Sequence, residues 1–261
     1  MNEQVRLLFL GTGGSMGIPV IGCTCAVCQS NDSKDRRLRP SVLLHIGSKK
    51  ILVDSGPDYR TQALLYKIHH LDGVIITHAH HDHTAGIDDL RAYHLFDKHP
   101  LPCLMSDATA QDLFVRYDYI FNGFKKQTLV PKLSVEQFSA KRGRHVFLGI
   151  PFDYFTYTQG GMEVNGFKVG SLGFVSDVKE YPPSIFEDLK GIKTLVISAL
   201  RFETSPLHLS VNEAVEFSKK TGAEKTYLTH ISHDLSHHEV SLKLPPGISM
   251  AYDGLLIKDW L

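Results

Sequence analysis

No stretch of this chain approaches the roughly 18 uninterrupted apolar residues of a membrane helix, so no membrane span is expected. The opening residues, Met1-Asn2-Glu3-Gln4-Val5, lack the basic segment and apolar run of a secretory leader, which leaves the cytoplasm as the expected location. Neither sign of charge is in excess: 28 Lys and Arg stand against 28 Asp and Glu. A general nucleic-acid binder carries a basic surplus, so nucleic acid is disfavoured as a partner, although a local basic patch would escape this count. Cysteine is scarce, with four in 261 residues. Three of them, Cys23, Cys25 and Cys28, lie within six positions, and Cys103 stands alone. In a reducing compartment such a cluster points to metal before disulfide. There is no internal repeat, low-complexity tract or clear linker, and 43% hydrophobic content supplies a sizeable core. One domain over residues 1–261 is expected, with a Cys-rich zinc loop at about 22–40.

What the chain has in quantity is histidine, at 15 residues. The densest group is Thr77-His78-Ala79-His80-His81-Asp82-His83, directly after the β-branched run from Gly73 to Thr77. Metal ligands must converge on a point, and imidazole with carboxylate suits zinc, iron or manganese. Alternate residues leaving a strand point the same way, so His78 and His80 can share one ion. Asp82 and His83 can turn toward a second as the loop closes. The alternative is a solvated polar loop that happens to hold histidines.

The rest reads as strands in runs with helices between them. Val5 to Leu10 is a buried strand ending in the turn Gly11-Thr12-Gly13-Gly14-Ser15, which lacks the lysine and spacing of a phosphate-binding P-loop. Ser41–Ile46 and Lys50–Val53 flank a hairpin turn. Thr61–His69 has helical spacing, Leu101–Met105 is a strand, and a helix starts near Asp107. Residues 130–175 read as several antiparallel strands, with turns at Gln159-Gly160-Gly161 and Asn165-Gly166. Lys193–Ser198 is a strand, Ser210-Val211-Asn212-Glu213 is a capping box for a helix to about Lys220, and Lys225–Thr229 is a strand ending at His230.

The pattern His-x-His-x-Asp-His after an apolar strand resembles the signature of the metallo-β-lactamase superfamily. Ile51-Leu52-Val53-Asp54-Ser55-Gly56-Pro57-Asp58, Phe174-Val175-Ser176-Asp177 and Leu228-Thr229-His230 extend the resemblance along most of the chain. It implies an α+β fold, a four-layer αββα sandwich with the metals at one edge. It further implies that His78, His80 and a third histidine hold one divalent ion, zinc or manganese. Asp82, His83 and His230 would hold the other, with Asp177 bridging. Where that third histidine is expected the chain reads Thr158-Gln159-Gly160. Gln159 offers a neutral carbonyl oxygen, a poorer zinc ligand than imidazole, so the first site is expected to be weak, to favour a harder metal, or to be empty. His145 is the nearest upstream alternative, at the wrong spacing.

Within the superfamily the chain is similar to the phosphodiesterases that hydrolyse phosphoribosyl cyclic phosphate. Those carry Cys-x-Cys-x-x-Cys early and Thr-His-x-Ser-His late, matched here by Cys23, Cys25 and Cys28 and by Thr229-His230-Ile231-Ser232-His233. A closed tetrahedral zinc site needs a fourth ligand, for which Cys103 is possible but isolated; the resemblance implies a structural zinc held by Cys23, Cys25, Cys28 and His233. It places His208, in Pro206-Leu207-His208-Leu209-Ser210, beside the scissile bond as general acid or phosphate contact. Asp82 and His208 are the residues expected to be needed for turnover, and Arg201 is expected to neutralise phosphate.

Asp54 and Asp58 are expected behind the metal histidines, because a ligating imidazole usually donates its other N–H to a carboxylate. Arg37 and Arg39 either lie on the solvated surface or face an anionic substrate. His69, His70, His94, His99, His237 and His238 are expected on the surface. The function expected is hydrolysis of a small phosphodiester, cyclic ones included, through a metal-activated water. The partner is then a small phosphate ester and no membrane, with a homodimer left open. The rivals are the same fold acting on a thioester, lactone or RNA, a di-iron redox protein, and a non-catalytic or mononuclear member.

Overall fold

Apolar and β-branched runs become strands, and most lie where the sequence reading puts them. The computed structural model describes residues 4–96, 99–122 and 129–260. Its first sheet is built from β1 (Gln4–Gly11), β2 (Ser41–Ile46), β3 (Lys49–Val53), β4 (Gly73–Ile75), β5 (Leu101–Ser106) and β6 (Leu133–Phe138). The second holds β7 (Arg142–Phe147), β8 (Ile150–Gln159), β9 (Met162–Val169), β10 (Leu172–Val175), β11 (Thr194–Ser198), β12 (Lys225–Thr229) and β13 (Ile248–Met250). The last strand, β14 (Leu256–Trp260), returns to the first sheet beside β1. The strand orders are β14-β1-β2-β3-β4-β5-β6 and β13-β12-β11-β10-β9-β8-β7.

Both sheets are mixed. Strands β1 to β3 and β7 to β10 pair antiparallel, while β3 to β6 and β10 to β13 run parallel. Parallel neighbours need crossovers, and these carry the helices, among them Tyr59–Leu65, Asp107–Arg116 and Val211–Thr221. The last starts with the capping box read from sequence: Glu213 N donates to Ser210 Oγ, and Ser210 N donates to Glu213.

Alternation along each strand sorts the core into layers. Phe9, Leu44 and Ile51 point between the sheets and meet Phe152, Phe167 and Val196. Their neighbours Leu10, Leu43 and Leu52 point outward and pack with Tyr59, Ile87 and Leu113. On the far side Leu195, Ile197 and Leu228 pack with Ala214 and Phe217 of the Val211–Thr221 helix. The layers are therefore helix, sheet, sheet, helix, and a strand covered on both faces reads as a continuous apolar run. No helix among the described residues is long and apolar enough to cross a membrane.

Three readings need correction. The strand series from residue 130 does not stay in one sheet: β6 completes the first, parallel to β5. Asn165-Gly166 is not a turn but lies inside β9. A Cβ on Gly166 would come within 2.5 Å of the Phe155 ring, so this glycine serves close packing rather than bending. The hairpin at Gly160-Gly161 is real, with φ of +55° and +83° between Gln159 and Met162. The third is β14, which the sequence reading did not see; its burial alternates and its exposed positions include Lys258.

Candidate metal centre

Every chain segment that builds the centre leaves the C-terminal end of a strand in a parallel pair. Asp54 follows β3, His78 to His83 follow β4, Asp177 follows β10 and His230 follows β12. Parallel strands from both sheets thus aim their exits at one edge, where ligands bind in open α/β sheets. Three of these residues, Asp54, Asp177 and His230, have φ of +63°, +51° and +59°. The left-handed region costs a non-glycine residue about 1–3 kcal/mol and survives where surrounding structure imposes it. Here it lets the side chain turn back into the edge within one residue of the strand. The loops are pinned by the backbone: Asp54 N donates to Ile75 O, Ile231 N to Thr12 O and Gly14 N to Ile231 O.

Asp177 is buried at the middle. Its Oδ2 lies 3.6 Å from His78 Nε2, 3.3 Å from His83 Nε2 and 3.3 Å from His230 Nε2. Asp82 Oδ2 lies 3.5 Å from His83 Nε2 and 3.3 Å from His230 Nε2. His78 Nε2 and His80 Nδ1 are 2.9 Å apart. Two groups able to hold an ion result, Asp82, His83, Asp177 and His230 on one side and His78, His80 and Asp177 on the other. Ligands about 2.1 Å from a common ion at tetrahedral angles are about 3.4 Å apart, which is the spacing seen. His83 Nε2 is fully buried and makes no hydrogen bond among the described residues despite two carboxylates this close. The donor set fits a divalent cation better than it fits itself.

Charge explains how the groups titrate. Burial would push His83 down, but the carboxylates of Asp177, Asp54 and Asp82 outweigh it and hold the imidazole well above its usual value. His230 is raised in the same way against its burial, first by Asp177. His78 goes well below the usual value, from burial and then the neighbouring His83 charge. Asp177 is held well below the carboxylate range by His230 and His83 although burial opposes this. The raised His83 and His230 hold their protons more tightly than a free imidazole, and each must lose its proton to become a ligand. Metal affinity should therefore rise with pH, by up to about tenfold per pH unit for each proton displaced. Chelator competition at several pH values measures this, and equal affinity at pH 6 and pH 8 would contradict it.

Asp54 stands behind His83 and Thr77. Its Oδ2 accepts from His83 Nδ1 at 2.6 Å and from Thr77 Oγ1 at 2.8 Å, while Oδ1 accepts from Thr77 N at 2.8 Å. Thr77, which the sequence reading passed over, also reaches His78 Nδ1 at 3.0 Å. Asp58 does not share this role. It binds Arg39 instead, accepting from the guanidinium at 2.7 Å and from Arg39 N at 2.9 Å. That pairing also settles Arg39, whose Nε donates to Ser15 O. Arg37 is neither solvated nor free for substrate: it is buried, with bonds to Thr12 Oγ1, Ala251 O and His237 Nδ1. His237 is accordingly buried, against the surface expectation. His145 pairs with Glu136 at 3.0 Å.

His208 and Gln159 lie together beside His230. His208 stacks on His230, with centroids 4.7 Å apart and planes at 25°. Burial, and then His230, push His208 down to about 4. Gln159 Nε2 lies 2.8 Å from His208 Nε2, and Gln159 Oε1 is buried without a hydrogen-bond partner among the described residues. Arg201 follows β11 two residues after Ala199, and its Nε is buried without a hydrogen bond among the described residues. Gly14 lies against His230, where a Cβ would sit 3.4 Å from Nδ1. The glycine-rich turn is thus part of the site's rim, a role its spacing did not announce.

The cysteine cluster finds its fourth partner 205 or more residues away. His233 Nδ1 lies 3.3 Å from Cys23 Sγ, 3.5 Å from Cys25 Sγ and 3.6 Å from Cys28 Sγ. A thiolate and an imidazole on one tetrahedral zinc would be about 3.5 Å apart. The backbone N–H of Cys28 holds the Cys25 thiol down, to about 6, while burial pushes Cys28 up, to about 11. Cys103 is buried in β5, away from the cluster, and burial raises it to about 12.

Residues 49–231 match the family described as Beta-lactamase superfamily domain. The chain belongs to the metallo-β-lactamase superfamily. This superfamily member is similar over its whole length to a crystal structure described as a new diphosphatase from the PhnP family, with a TM-score of 0.91, 36% identity and 99% of that chain covered. Zinc-bound PqqB from Methylobacterium extorquens shares the fold, with a TM-score of 0.76 at 15% identity, covering 97% of this chain and 99% of that one. An octanoyltransferase of Porphyromonas gingivalis is 32% identical over 263 residues, 96% of this chain but 51% of that protein. The chain spans about half the length, or less, of the curated relatives it matches.

Proposed function

We propose that this protein is a metal-dependent phosphohydrolase acting on small phosphodiesters, cyclic ones included, and on diphosphates. The observation that carries the reading is the shared Asp177 Oδ2, placed between His78 on one side and His83 and His230 on the other. Two ions would be held by His78, His80 and Asp177, and by Asp82, His83, His230 and Asp177, with zinc or manganese as the candidates. When bound, such a pair lowers the pKa of water and neutralises charge on phosphoryl oxygens. Cys23, Cys25, Cys28 and His233 would hold a structural zinc. Both sheets supply ligands, so the chain acts as one domain.

The chain's own groups do the rest. Asp54 fixes the His83 ring through Nδ1 and leaves Nε2 facing the centre. His208, neutral near pH 7, meets a phosphoryl oxygen as a hydrogen-bond donor rather than as a stored proton. That is the second of the two roles expected for it. The unpaired Arg201 Nε lies on the loop after β11 and offers a donor to phosphate charge. The PhnP-family diphosphatase supports a phosphate substrate. The octanoyltransferase relative is twice as long, so its named activity belongs to a larger protein than the part matched here.

The test is turnover of bis(p-nitrophenyl) phosphate, a cyclic phosphodiester, a diphosphate and an octanoyl thioester, each with added zinc or manganese. Metal-dependent release of phosphate product is expected. Cleavage of the thioester alone, or no turnover with two ions bound, would overturn the proposal.

A further inference from the structure

His80, Asp82 and His83 sit on a segment too short to hold its own shape. His81–Thr84 is a helix of four residues, and its N-cap, His80, makes no side-chain capping bond. Such a helix is not stable alone, so its geometry must be imposed by its surroundings. One brace comes from the turn after β3: Ser55 N donates to His83 O, and Gly86 N donates to Ser55 O. A second comes from the Asp107–Arg116 helix, which contributes nothing to the ligand set. Arg116 Nη1 donates to Ala79 O, the carbonyl between His78 and His80. The next residue, Tyr117, donates through its hydroxyl to Thr84 O at 3.2 Å. Within the loop, Thr84 Oγ1 donates to His80 O at 2.8 Å. One helix end therefore grips the loop at both ends of the stretch that carries His80, Asp82 and His83. That helix is itself well anchored. Ala110 and Leu113 are buried in the outer core layer, and Ser106 Oγ accepts from Thr109 N at its start. Asp112 Oδ1 accepts from Arg116 Nη2 at 3.2 Å and orients the guanidinium. A charged donor makes a stronger bond to a carbonyl than a neutral one does. The bond fixes the peptide between Ala79 and His80, and with it the direction in which the two imidazoles leave the chain.

We infer that Arg116 and Tyr117 are positioning residues for the centre. They clamp residues 79–84 so that His80, Asp82 and His83 stand in ligating positions before an ion arrives. Neither touches a reacting atom. The inference rests on the reading of the centre as a metal site and deepens it. A loop that is already ordered loses less conformational freedom when an ion binds. Groups that orient ligands from behind typically change metal affinity or activity by about 10–100-fold when removed. Arg116 acts through a backbone carbonyl rather than on a ligand ring, so the lower end of that range applies.

The experiment compares the full-length wild-type chain with Arg116→Gln, Arg116→Lys and Tyr117→Phe. Amide hydrogen exchange is read by mass spectrometry on the metal-free chains. Zinc affinity is read by chelator competition, and turnover on bis(p-nitrophenyl) phosphate. Arg116→Gln should speed exchange across residues 79–84 by at least about tenfold, while β8, β9 and the melting temperature stay as in wild type. It should weaken zinc at the histidine centre by about tenfold and lower kcat by a similar factor, with KM changed by less than about twofold. Tyr117→Phe should show the same pattern to a smaller degree. Arg116→Lys keeps a charged donor and should recover most of each loss. Wild-type exchange across 79–84 in Arg116→Gln overturns the inference. So does faster exchange spread over both sheets, which would make Arg116 a general stabiliser. A loss in Arg116→Lys equal to that in Arg116→Gln overturns it as well. If no chain turns over a phosphate ester, exchange and zinc affinity still decide the clamp, so it and the proposed function fail separately.

Discussion

Asp177→Asn should lower kcat/KM for the best phosphate substrate by at least about a thousandfold, a loss of ~4 kcal/mol in transition-state stabilisation. The same change should remove at least one metal equivalent per chain. The size follows from position: one buried carboxylate oxygen stands within 3.6 Å of His78, His83 and His230, so both halves of the centre lose an anionic ligand together. Asparagine keeps the volume and can still accept from Ser176 Oγ, which reaches Asp177 Oδ1 at 3.0 Å, so the fold should survive. Asp82→Asn touches His83 and His230 alone and should cost less. Asp58→Asn, removed from the centre by its bond to Arg39, should leave turnover near wild type. The three variants are compared by steady-state kinetics, metal content and thermal melting. Full activity in Asp177→Asn would rule out a dinuclear centre here.

Cys25→Ser should release the zinc assigned to the cysteine cluster and destabilise the protein, by less than zinc loss costs a zinc finger, because the sheets here have a core of their own. The damage should also spread to the histidine centre. His233 lies three residues after His230, whose left-handed backbone needs its neighbours to hold it. Ile231 bonds the turn at Thr12 and Gly14, and the cluster at 23–28 continues from that turn. Loss of one anchor should therefore loosen the other, with at least about a tenfold fall in metal affinity at the histidine centre. Denaturant unfolding and zinc counting on the variant decide it. An unchanged midpoint with the cluster's zinc gone would show that the cluster does not support the fold.

Much of this centre was legible along the chain. His78, His80, Asp82 and His83 fall within six positions, and their strand exit is written in the β-branched run before them. Cys23, Cys25 and Cys28 are equally local, and the Ser210 capping box announces its helix. These are readable because ligand spacing, capping and side-chain alternation depend on neighbours a few residues apart. The motifs at Asp177, His230 and His233 were recognised through resemblance, not through any local property of those residues.

Other assignments had no local signal. Asp54 and Asp58 sit four residues apart in similar surroundings, yet one braces His83 and the other pairs with Arg39. Which does which depends on the φ of +63° that turns Asp54 inward. In the sequence Arg37 fits either the solvated surface or a contact to an anionic substrate, and it is neither: it is buried, because His237, Thr12 and Ala251 converge on it from distant parts of the chain. Gly14 looks like a turn and lines the site, and Asn165-Gly166 looks like a turn and is strand. The sequence by itself determined which ligand types exist and where most strands lie. Tertiary structure alone decided which polar groups share a buried space. The reason is that such partners are chosen by packing across the two sheets, where the cost of an unpaired polar group acts between residues up to 241 positions apart.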